Sequence, residues 1–317
     1  MRTVIIGGSG HIGTYLVPRL VMAGHEVVNV TRGKNAPYIP HNAWTSVEHI
    51  TADRIAEEKA GTFGKRIRDL KPDTVIDLIC YTPKSAEHIV EALDGRISHF
   101  LHCGTIWVHG HSTVVPTTED QIRHPFGEYG IRKAAAEAYL LDRARRGGFP
   151  ATILHPGHIV GQGWAPLNPA GHFNIDTFRT IARGEPVTLP NLGLETVHHV
   201  HADDVAQSFV RALESWSVAN GENFHVVSNG AMTLRGYAEA MYSWFGKTPD
   251  LRFMPWEQWR TSVSENDAEF TWDHIAHSPN CSCEKAKRLI GYTPRYTSLE
   301  AVTESVDWLI KDGVITT

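Results

Sequence analysis

Tyr129 and Lys133 stand four residues apart in the pattern Y-x-x-x-K, and this pair could transfer a proton. On a helix this spacing places both side chains on one face. A phenol with a pKa of about 10 is a poor acid–base catalyst at neutral pH, but an adjacent ammonium group favours the phenolate. We therefore expect Tyr129 to act as a general acid and base beside Lys133. The alternative is a packed tyrosine and an exposed lysine, so the surrounding fold has to decide.

Thr105 is the third residue that could take part in this chemistry. It follows an apolar run at residues 99–102, which predicts a strand. Ligands of open α/β sheets bind at the carboxyl edge of the strands. A hydroxyl group at this edge can hydrogen-bond a reacting oxygen and hold it near Tyr129. The other interpretation is a threonine that only shapes a turn.

A glycine-rich segment at residues 7–13 could hold the phosphates of a dinucleotide. It has the pattern G-x-x-G-x-x-G and lies between a predicted strand and a predicted helix. Glycines allow a tight turn and a close approach to a pyrophosphate group, and the helix N-terminus offers free N–H groups to the anion. The pattern therefore predicts a nicotinamide dinucleotide site, with a glycine turn that binds nothing as the alternative. The residues that we expect to contact the cofactor here are Gly7, Gly10, His11, Ile12 and Gly13.

The residues after the second and third predicted strands should lie beside the adenosine of the cofactor. An acidic residue after the second strand would bind the ribose 2′-hydroxyl of NAD. This chain has Arg32 there instead, and a guanidinium group suits a 2′-phosphate. We therefore expect NADP to be preferred over NAD, while a solvated Arg32 would admit either cofactor. Asp53, after the third strand, is placed either to contact the adenine or to cap a helix.

Strands and helices alternate along the first half of the chain. Apolar runs predict the strands, and longer stretches with helical spacing of apolar residues predict the helices between them. This alternation implies right-handed crossovers and a parallel sheet covered on both faces, which is an α/β, doubly wound Rossmann fold. The predicted strands are residues 3–6, 26–30, 47–50, 74–79, 99–102 and 151–154. The predicted helices are residues 11–22, 55–70, 85–93 and 129–146.

The second half of the chain leaves this regular alternation. Residues 161–196 are rich in Pro, Gly, Asn and Trp, which predicts loops and short elements outside the sheet. We expect a dinucleotide-binding domain of residues 1–160, with returning segments at about 197–228. Residues 161–196 and 229–317 should form a smaller substrate-binding annex.

The composition is that of an ordinary globular chain. Its 317 residues are 42% hydrophobic and 21% charged, and their formal charge of −5 gives no strong field to attract nucleic acid. The first residues lack the pattern of a secretory signal, and no apolar run has the length of a membrane span. We therefore expect a cytoplasmic protein that binds a small molecule and has neither a nucleic acid nor a membrane partner.

Nineteen histidines and four cysteines raise the question of a metal site. His199 and His201 alternate on a predicted strand and share a face, but two ligands do not complete a site. Cys281 and Cys283 lack a second pair nearby. We therefore expect no metal, and cysteines that are reduced.

Together these motifs resemble the extended short-chain dehydrogenase/reductase family, often described as NAD-dependent epimerases and dehydratases. The resemblance covers nearly the whole chain. Residues 155–161, HPGHIVG, are similar to the family's R-P-G-N-x-x-G, and residues 201–206, HADDVA, are similar to its H-V-x-D-x-A. The resemblance implies an active site of tyrosine, lysine and threonine, and a dimer formed through paired helices. It also implies cofactor contacts from Lys133, Pro156 and His158, the last of which replaces the family's usual asparagine.

Two departures from the family narrow the chemistry. Sugar-nucleotide 4,6-dehydratases carry Asp-Glu directly after the threonine, whereas this chain has Ile106 and Trp107, neither of which can move a proton. Sugar-nucleotide epimerases usually place an arginine just before the H-V-x-D segment, where it grips the diphosphate. Residues 195–199, ETVHH, contain no arginine. This weakens the case for a nucleotide-sugar substrate, although a histidine could partly replace the arginine.

The motifs favour an NAD(P)-dependent oxidoreductase that moves a hydride between the nicotinamide and a secondary alcohol or ketone of a small, polar, sugar-like substrate. An epimerase that retains its cofactor would use the same residues and stays open as the alternative. A second alternative is a non-catalytic protein that senses the dinucleotide or binds RNA. An intact set of Tyr129, Lys133 and Thr105 would be unnecessary in such a protein.

Overall fold

The computed structural model describes residues 1–316. Its strands are β1 (Arg2–Ile6), β2 (Glu26–Thr31), β3 (Glu48–Thr51), β4 (Thr74–Asp77), β5 (His99–Cys103), β6 (Ala151–Pro156), β7 (His158–Val160), β8 (Val187–Pro190), β9 (Thr196–Val197), β10 (His199–His201), β11 (Asn223–Val226), β12 (Met232–Thr233) and β13 (Leu251–Met254). Its α-helices are α1 (His11–Met22), α2 (Arg54–Lys59), α3 (Phe63–Asp69), α4 (Pro83–Leu93), α5 (Gly127–Gly147), α6 (Asp176–Arg183), α7 (Ala202–Glu214), α8 (Trp216–Ala219), α9 (Leu234–Trp244), α10 (Trp256–Trp259), α11 (Glu265–His277), α12 (Glu284–Ile290) and α13 (Ser298–Lys311). Short 3-10 helices span Asn42–Ser46 and Ile106–His109.

Seven strands form one parallel sheet in the order β11-β6-β5-β4-β1-β2-β3. The predicted doubly wound α/β fold is therefore confirmed, with β11 as a seventh strand at one edge. The strand order changes direction between β1 and β4, and ligands of such sheets bind in the crevice at this point. Ile6 pairs with Val30 on one side and with Asp77 on the other. The turns after β1, β2 and β4 consequently open on the same edge of the sheet.

Apolar side chains on the two faces of the sheet form two separate layers. In β1, Ile5 belongs to the layer that packs against α1 and α7, whereas Val4 and Ile6 belong to the layer under α3, α4 and α5. Successive side chains of a strand point to opposite faces, so a fully buried parallel strand has to be apolar at nearly every position. This explains why the strands read as short continuous apolar runs in the sequence.

A third apolar cluster gathers residues from 160 onward, mainly from α6, α9 and α13. These helices surround short paired strands, including β8 with β13 and β9 with β12. The domain boundaries given above remain a prediction. None of the helices in residues 1–316 combines the length and the apolar character that crossing a bilayer requires.

The single helix predicted at residues 55–70 was wrong. The segment forms two helices, α2 and α3, that meet at Gly61. Gly61 has φ +71°, in the left-handed region that ends a helix and that glycine enters without a steric penalty. The turn lets α3 follow a new direction, in which Phe63 and Ile67 reach the core.

Candidate active site

The glycine turn between β1 and α1 lies against a cleft of about 300 Å³. Gly7 has φ +91°, and a Cβ atom there would come within 2.7 Å of the side chain of Ile79. A Cβ atom on Gly13 would lie 1.9 Å from the carbonyl oxygen of Gly8, so α1 packs directly on the turn. The helix begins at His11 after Gly10, without a side-chain cap. Its first N–H groups therefore remain available to an anion, and the turn fits the pyrophosphate of a dinucleotide.

The far end of the cleft is lined by the residues that follow β2 and β3. Arg32 and Lys34 lie exposed at its mouth, and Asp53 lies on its wall. The carboxylate of Asp53 also accepts a hydrogen bond from the N–H of Ala56 at 3.1 Å, which caps α2. Both roles considered for Asp53 are therefore compatible with its position.

Arg54 is a cleft residue that the sequence analysis missed. Its guanidinium group is buried and forms ion pairs with Asp77 at 2.7 Å and Glu58 at 2.6 Å. Burial opposes its charge, but the neighbouring Asp77 carboxylate outweighs that effect together with its hydrogen bonds, and the pKa of Arg54 is raised. These two ion pairs connect α2 with the end of β4 beneath the cleft. No local pattern distinguishes this buried arginine from a solvated one.

Tyr129 and Thr105 come together at the end of β5. Thr105 Oγ1 accepts a hydrogen bond from the N–H of Trp107 at 3.3 Å and lies next to the Tyr129 hydroxyl group. Burial raises the pKa of Tyr129, the nearby Cys103 thiol adds to this effect, and the Thr105 hydroxyl opposes it. The tyrosine residue still exposes 44% of its surface, so it can be reached from outside.

Lys133 is buried one turn further along α5 and is anchored to the ends of two strands. Its ammonium group donates hydrogen bonds to the carbonyl oxygens of Cys80 and Cys103, and it lies 3.4 Å from His102 Nε2. Burial lowers the pKa of Lys133, while the Cys103 and Cys80 thiols oppose the shift. Burial also lowers the pKa of His102 well below its usual value, and the positive charge of Lys133 adds to this. His102 is thus a neutral hydrogen-bond acceptor for the ammonium group.

We expected the ammonium group of Lys133 to lower the pKa of Tyr129, but the pKa of this tyrosine is raised. The ring of Tyr81 lies near both residues, 5.5 Å from Lys133 Nζ and 6.4 Å from the ring of Tyr129. The causes that raise the pKa of Tyr129 are burial, Cys103 and Tyr81, and the ammonium group is not among those that lower it. The tyrosine therefore stays protonated at neutral pH in this environment.

Trp107 lies between Tyr129 and three histidines, His158, His274 and His277, which we call the histidine wall. His274 and His277 are buried, and His158 is half-buried. The indole ring stacks on His277 at 4.1 Å and lies edge-on to His274 at 5.2 Å and to His158 and Tyr129, each at 6.1 Å. His274 and His277 belong to α11, far from Trp107 in the sequence. The sequence analysis missed both. The signal that was available is their spacing of three residues, which puts them on one face of a helix.

Pro156 and His158 lie at the junction of β6 and β7. His158 joins the histidine wall, and its backbone N–H donates to the carbonyl oxygen of His198 at 2.8 Å. Gly157 allows this approach, because a Cβ atom there would lie 2.4 Å from the same oxygen. The Nε2 atom of His158 is buried without a partner in the described part of the chain. Contacts of Pro156 and His158 with a cofactor remain predictions.

Of the two histidines in residues 195–199 that could have replaced the missing arginine, His198 is engaged elsewhere. Its Nε2 atom bonds the carbonyl oxygen of Ser228 at 3.0 Å, and its Nδ1 atom accepts from the N–H of Cys281 at 3.1 Å. With both ring nitrogens bound to the backbone, this histidine has no donor left for a diphosphate.

Comparison with known proteins supports the fold and shows the family. The sequence model of the NAD dependent epimerase/dehydratase family matches residues 3–226. The chain is 26% identical to a 2′-dehydrokanamycin reductase from Streptomyces kanamyceticus, over 99% of this chain and 86% of that protein. It is also 26% identical to the chloroplast stem-loop binding protein of 41 kDa b from Arabidopsis thaliana, over 96% of this chain and 78% of that protein.

Among solved structures, the fold is similar to that of a UDP-glucose 4-epimerase from Thermotoga maritima. The TM-score is 0.74 and the sequence identity is 21%, over 98% of this chain and 99% of the other. The predicted class, an NAD(P)-dependent oxidoreductase or epimerase, is confirmed by the family match. The chain belongs to the NAD dependent epimerase/dehydratase family.

Proposed function

We propose that the protein is an NADP-preferring oxidoreductase acting on a secondary alcohol or ketone of a small, polar, sugar-like molecule. The observation that carries this proposal is the placement of the Tyr129 and Thr105 hydroxyl groups next to each other at the carboxyl edge of the sheet. The dinucleotide cleft reaches the same edge, since Tyr81 lines the cleft and lies 6.4 Å from the ring of Tyr129. A phenol and a hydroxyl group are thus paired where a reacting oxygen would bind.

The protonation state of Tyr129 favours the reductive direction. When bound, NADPH supplies a hydride to the carbonyl carbon of the substrate. Tyr129 donates its phenolic proton to the carbonyl oxygen, and Thr105 donates a hydrogen bond that stabilises the resulting phenolate. Because the surroundings raise the pKa of Tyr129, its proton is present at neutral pH before the reaction begins. Oxidation of an alcohol by NADP uses the same groups in reverse.

The remaining cofactor contacts follow from the cleft. The backbone of residues 7–13 would hold the pyrophosphate, and Arg32 and Lys34 at the mouth would pair with a 2′-phosphate. Lys133, positioned by the carbonyl oxygens of Cys80 and Cys103, would reach the nicotinamide ribose with its ammonium group. The basic pair at the mouth supports the preference for NADP.

The groups around the site also support a substrate without a nucleotide diphosphate. Residues 195–199 contain no arginine, and both ring nitrogens of His198 in that segment are bound to the backbone. The likeness to 2′-dehydrokanamycin reductase agrees with a reduction. The likeness to a UDP-glucose 4-epimerase from Mycolicibacterium smegmatis, at 24% identity, keeps an epimerase as the alternative.

The proposal is tested by incubating the purified protein with NADPH or NADH and a panel of sugar-like ketones. We expect consumption of NADPH, and in Tyr129→Phe a loss of turnover of about 10²–10⁴-fold with cofactor affinity unchanged. Tyr139→Phe, on the same helix, is the matched control and should keep full activity. A changed sugar product without net oxidation of the cofactor would indicate the epimerase. Full activity of Tyr129→Phe would remove the tyrosine from the mechanism.

RNA binding is a second candidate function, favoured by the likeness to the chloroplast stem-loop binding protein. The formal charge of −5 and the paired Tyr129 and Thr105 argue against it. Salt-sensitive retention of a stem-loop RNA by the purified protein, without turnover of any carbonyl compound, would favour this candidate over the enzyme.

We also propose that the protein works as a cytoplasmic homodimer. The family resemblance implies pairing through two helices, and α4 and α5 pack side by side on one face of the sheet. Glu87 and Arg132 are exposed on these helices and offer opposite charges to a second copy. Sedimentation equilibrium of the full chain should give twice the monomer mass of 35.3 kDa.

A further inference from the structure

Three buried histidines that the catalytic site does not use come together behind it. His109 ends the 3-10 helix that begins after Thr105, His155 lies in β6, and His225 lies in β11. Each offers one ring nitrogen, and these three nitrogens lie within 4.8 Å of one another. The sequence analysis expected no metal because it compared histidines that are neighbours in sequence. The three ligands here come from separate strands and loops.

Hydrogen bonds fix which ring nitrogens are available. His225 Nδ1 donates to the carbonyl oxygen of Ser282 at 3.0 Å, so its Nε2 atom carries a lone pair. That lone pair accepts from His109 Nε2 at 2.7 Å. His155 Nε2 donates to the carboxylate of Glu137 at 2.6 Å. The Nδ1 atoms of His109 and His155 are buried and have no partner within residues 1–316.

The charges around the cluster suit a cation. His109 and His225 are buried, and the hydrogen bond between their Nε2 atoms requires one of these two nitrogens to carry a lone pair. Neutral imidazole is the form that binds metals. Glu137 is buried and forms an ion pair with Arg123 at 2.8 Å. A second buried carboxylate, Glu119, accepts a hydrogen bond from the backbone N–H of His225 at 2.8 Å. The two carboxylates and one guanidinium leave a net negative charge beside the histidines.

We propose that His109, His155 and His225 bind one divalent transition metal ion, for which zinc is the best chemical fit. Three imidazoles are a known zinc ligand set, and a fourth position would remain for water. The outer contacts match those of metal-bound histidines, which usually donate their second N–H to a carboxylate or a backbone carbonyl. Glu137 and the carbonyl oxygen of Ser282 fill these two roles.

Only a small rearrangement is needed for this ion to bind. Zinc–nitrogen distances of 2.0–2.1 Å in a tetrahedral site correspond to nitrogens about 3.4 Å apart. The nitrogens within 4.8 Å would draw closer by roughly an ångström, and the hydrogen bond between His109 and His225 would open. If His109 binds through Nε2, its proton moves to Nδ1, so the ring stays neutral.

The ion would stabilise the loop that carries Thr105. A Cβ atom on Gly104 would lie 2.4 Å from the ring of His155, so the cluster is packed directly against that loop. Glu137 lies one helical turn after Lys133 on α5. The role of the metal is therefore structural, and no step of the reaction passes through it. The proposal does not depend on the proposed function.

The first test is the zinc content of the full chain after expression in zinc-supplemented medium, measured by elemental analysis. We expect about one zinc per chain in the natural protein, and at least a tenfold loss in His225→Gln. His99→Gln is the matched control, because His99 is equally buried, bonds Thr152 at 2.8 Å and lies outside the cluster. Zinc retained in His225→Gln, or a natural protein with no more zinc than this variant, would overturn the proposal.

A second measurement uses only the natural chain, so its result does not depend on whether a variant folds. The protein is unfolded in guanidinium with a chelator and refolded with or without Co²⁺. We expect a visible cobalt absorption band with the Co²⁺ sample only, and a higher denaturation midpoint in the presence of the metal. Refolding to a native spectrum without cobalt uptake would contradict the site. Metal uptake without turnover of any ketone would reject only the proposed function.

Discussion

The dinucleotide cleft and the histidine wall both extend to Tyr129, but the cleft contains a glycine turn whereas the wall consists of histidine side chains. The cleft reaches it through Tyr81, and the wall reaches it through Trp107. The cleft lies at strand ends, and its glycine turn leaves N–H groups open to an anion. The wall consists of histidine side chains from two segments that are distant in sequence, β7 and α11.

This difference affects which ligands each region can recognise. A backbone turn between a strand and a helix binds any dinucleotide, because the pyrophosphate is recognised without side chains. In the wall, neutral imidazole rings pack where apolar side chains would be usual, and their ring nitrogens can accept or donate hydrogen bonds. The Nε2 atoms of His158 and His277 are buried without a partner in residues 1–316. We therefore expect the cleft to bind the cofactor and the wall to influence the substrate preference.

We expect the largest effect from acid, which should lower the contribution of the histidine wall to the free energy of unfolding. Burial lowers the pKa of both His274 and His277 to about 4, against 6.5 in an unfolded chain. The unfolded state therefore takes up protons first. Their contribution to stability is complete above pH 6.5 and is lost as the pH falls toward 4, by up to about 3 kcal/mol for each histidine.

Denaturant unfolding between pH 7 and pH 4 measures this loss. In His277→Asn the fall of the free energy of unfolding with pH should become shallower. His49→Asn, which removes an exposed histidine, should leave the slope unchanged. Equal slopes in the natural protein and in His277→Asn would mean that the wall is not held neutral by burial.

The second effect concerns the cleft, where the backbone leaves no room for a side chain. In Gly13→Ala the new methyl group would lie 1.9 Å from the carbonyl oxygen of Gly8, so α1 has to move away from the turn. Overpacking of this kind costs about 1–3 kcal/mol of stability. NADPH affinity, measured by fluorescence titration, should fall with it because the N–H groups shift.

Gly230→Ala is the control for this change. No heavy atom lies within 4 Å of a Cβ atom at Gly230, so both the denaturation midpoint and NADPH affinity should be unchanged. Normal NADPH binding by Gly13→Ala would show that close packing of α1 on the turn is not needed for the cofactor site.

The parts of the molecule that could be predicted are those that short segments determine. Each sheet strand up to β6 was located from a local apolar run, and the glycine turn from seven consecutive residues. Tyr129 and Lys133 were found because a helix fixes their spacing. The break at Gly61 was missed because a glycine within an apolar periodicity also occurs inside helices.

The parts that could not be predicted depend on contacts between distant segments. Nothing near Lys133 in the sequence shows that the carbonyl oxygens of Cys80 and Cys103 hold its ammonium group. The stacking of Trp107 on His277 likewise requires knowledge of where α11 packs. A histidine's sequence neighbours carry no information about such partners, which is why the histidine-rich composition gave no site.

We expect the smallest effect from Arg32, which tests whether a side chain makes the cleft discriminate between NADPH and NADH. Arg32 is exposed at the mouth of the cleft, where its guanidinium group can pair with a 2′-phosphate but finds no charge in NADH. In Arg32→Ala we expect the Kd for NADPH to rise about tenfold, or about 1.4 kcal/mol, with the Kd for NADH unchanged. Arg146→Ala removes an exposed arginine at the end of α5 and should change neither value. An equal loss for both cofactors would place Arg32 against the shared part of the dinucleotide, because only a contact with the 2′-phosphate distinguishes the two. In that case Arg32 would contribute to the binding of either cofactor, and the preference for NADP would have to come from another residue.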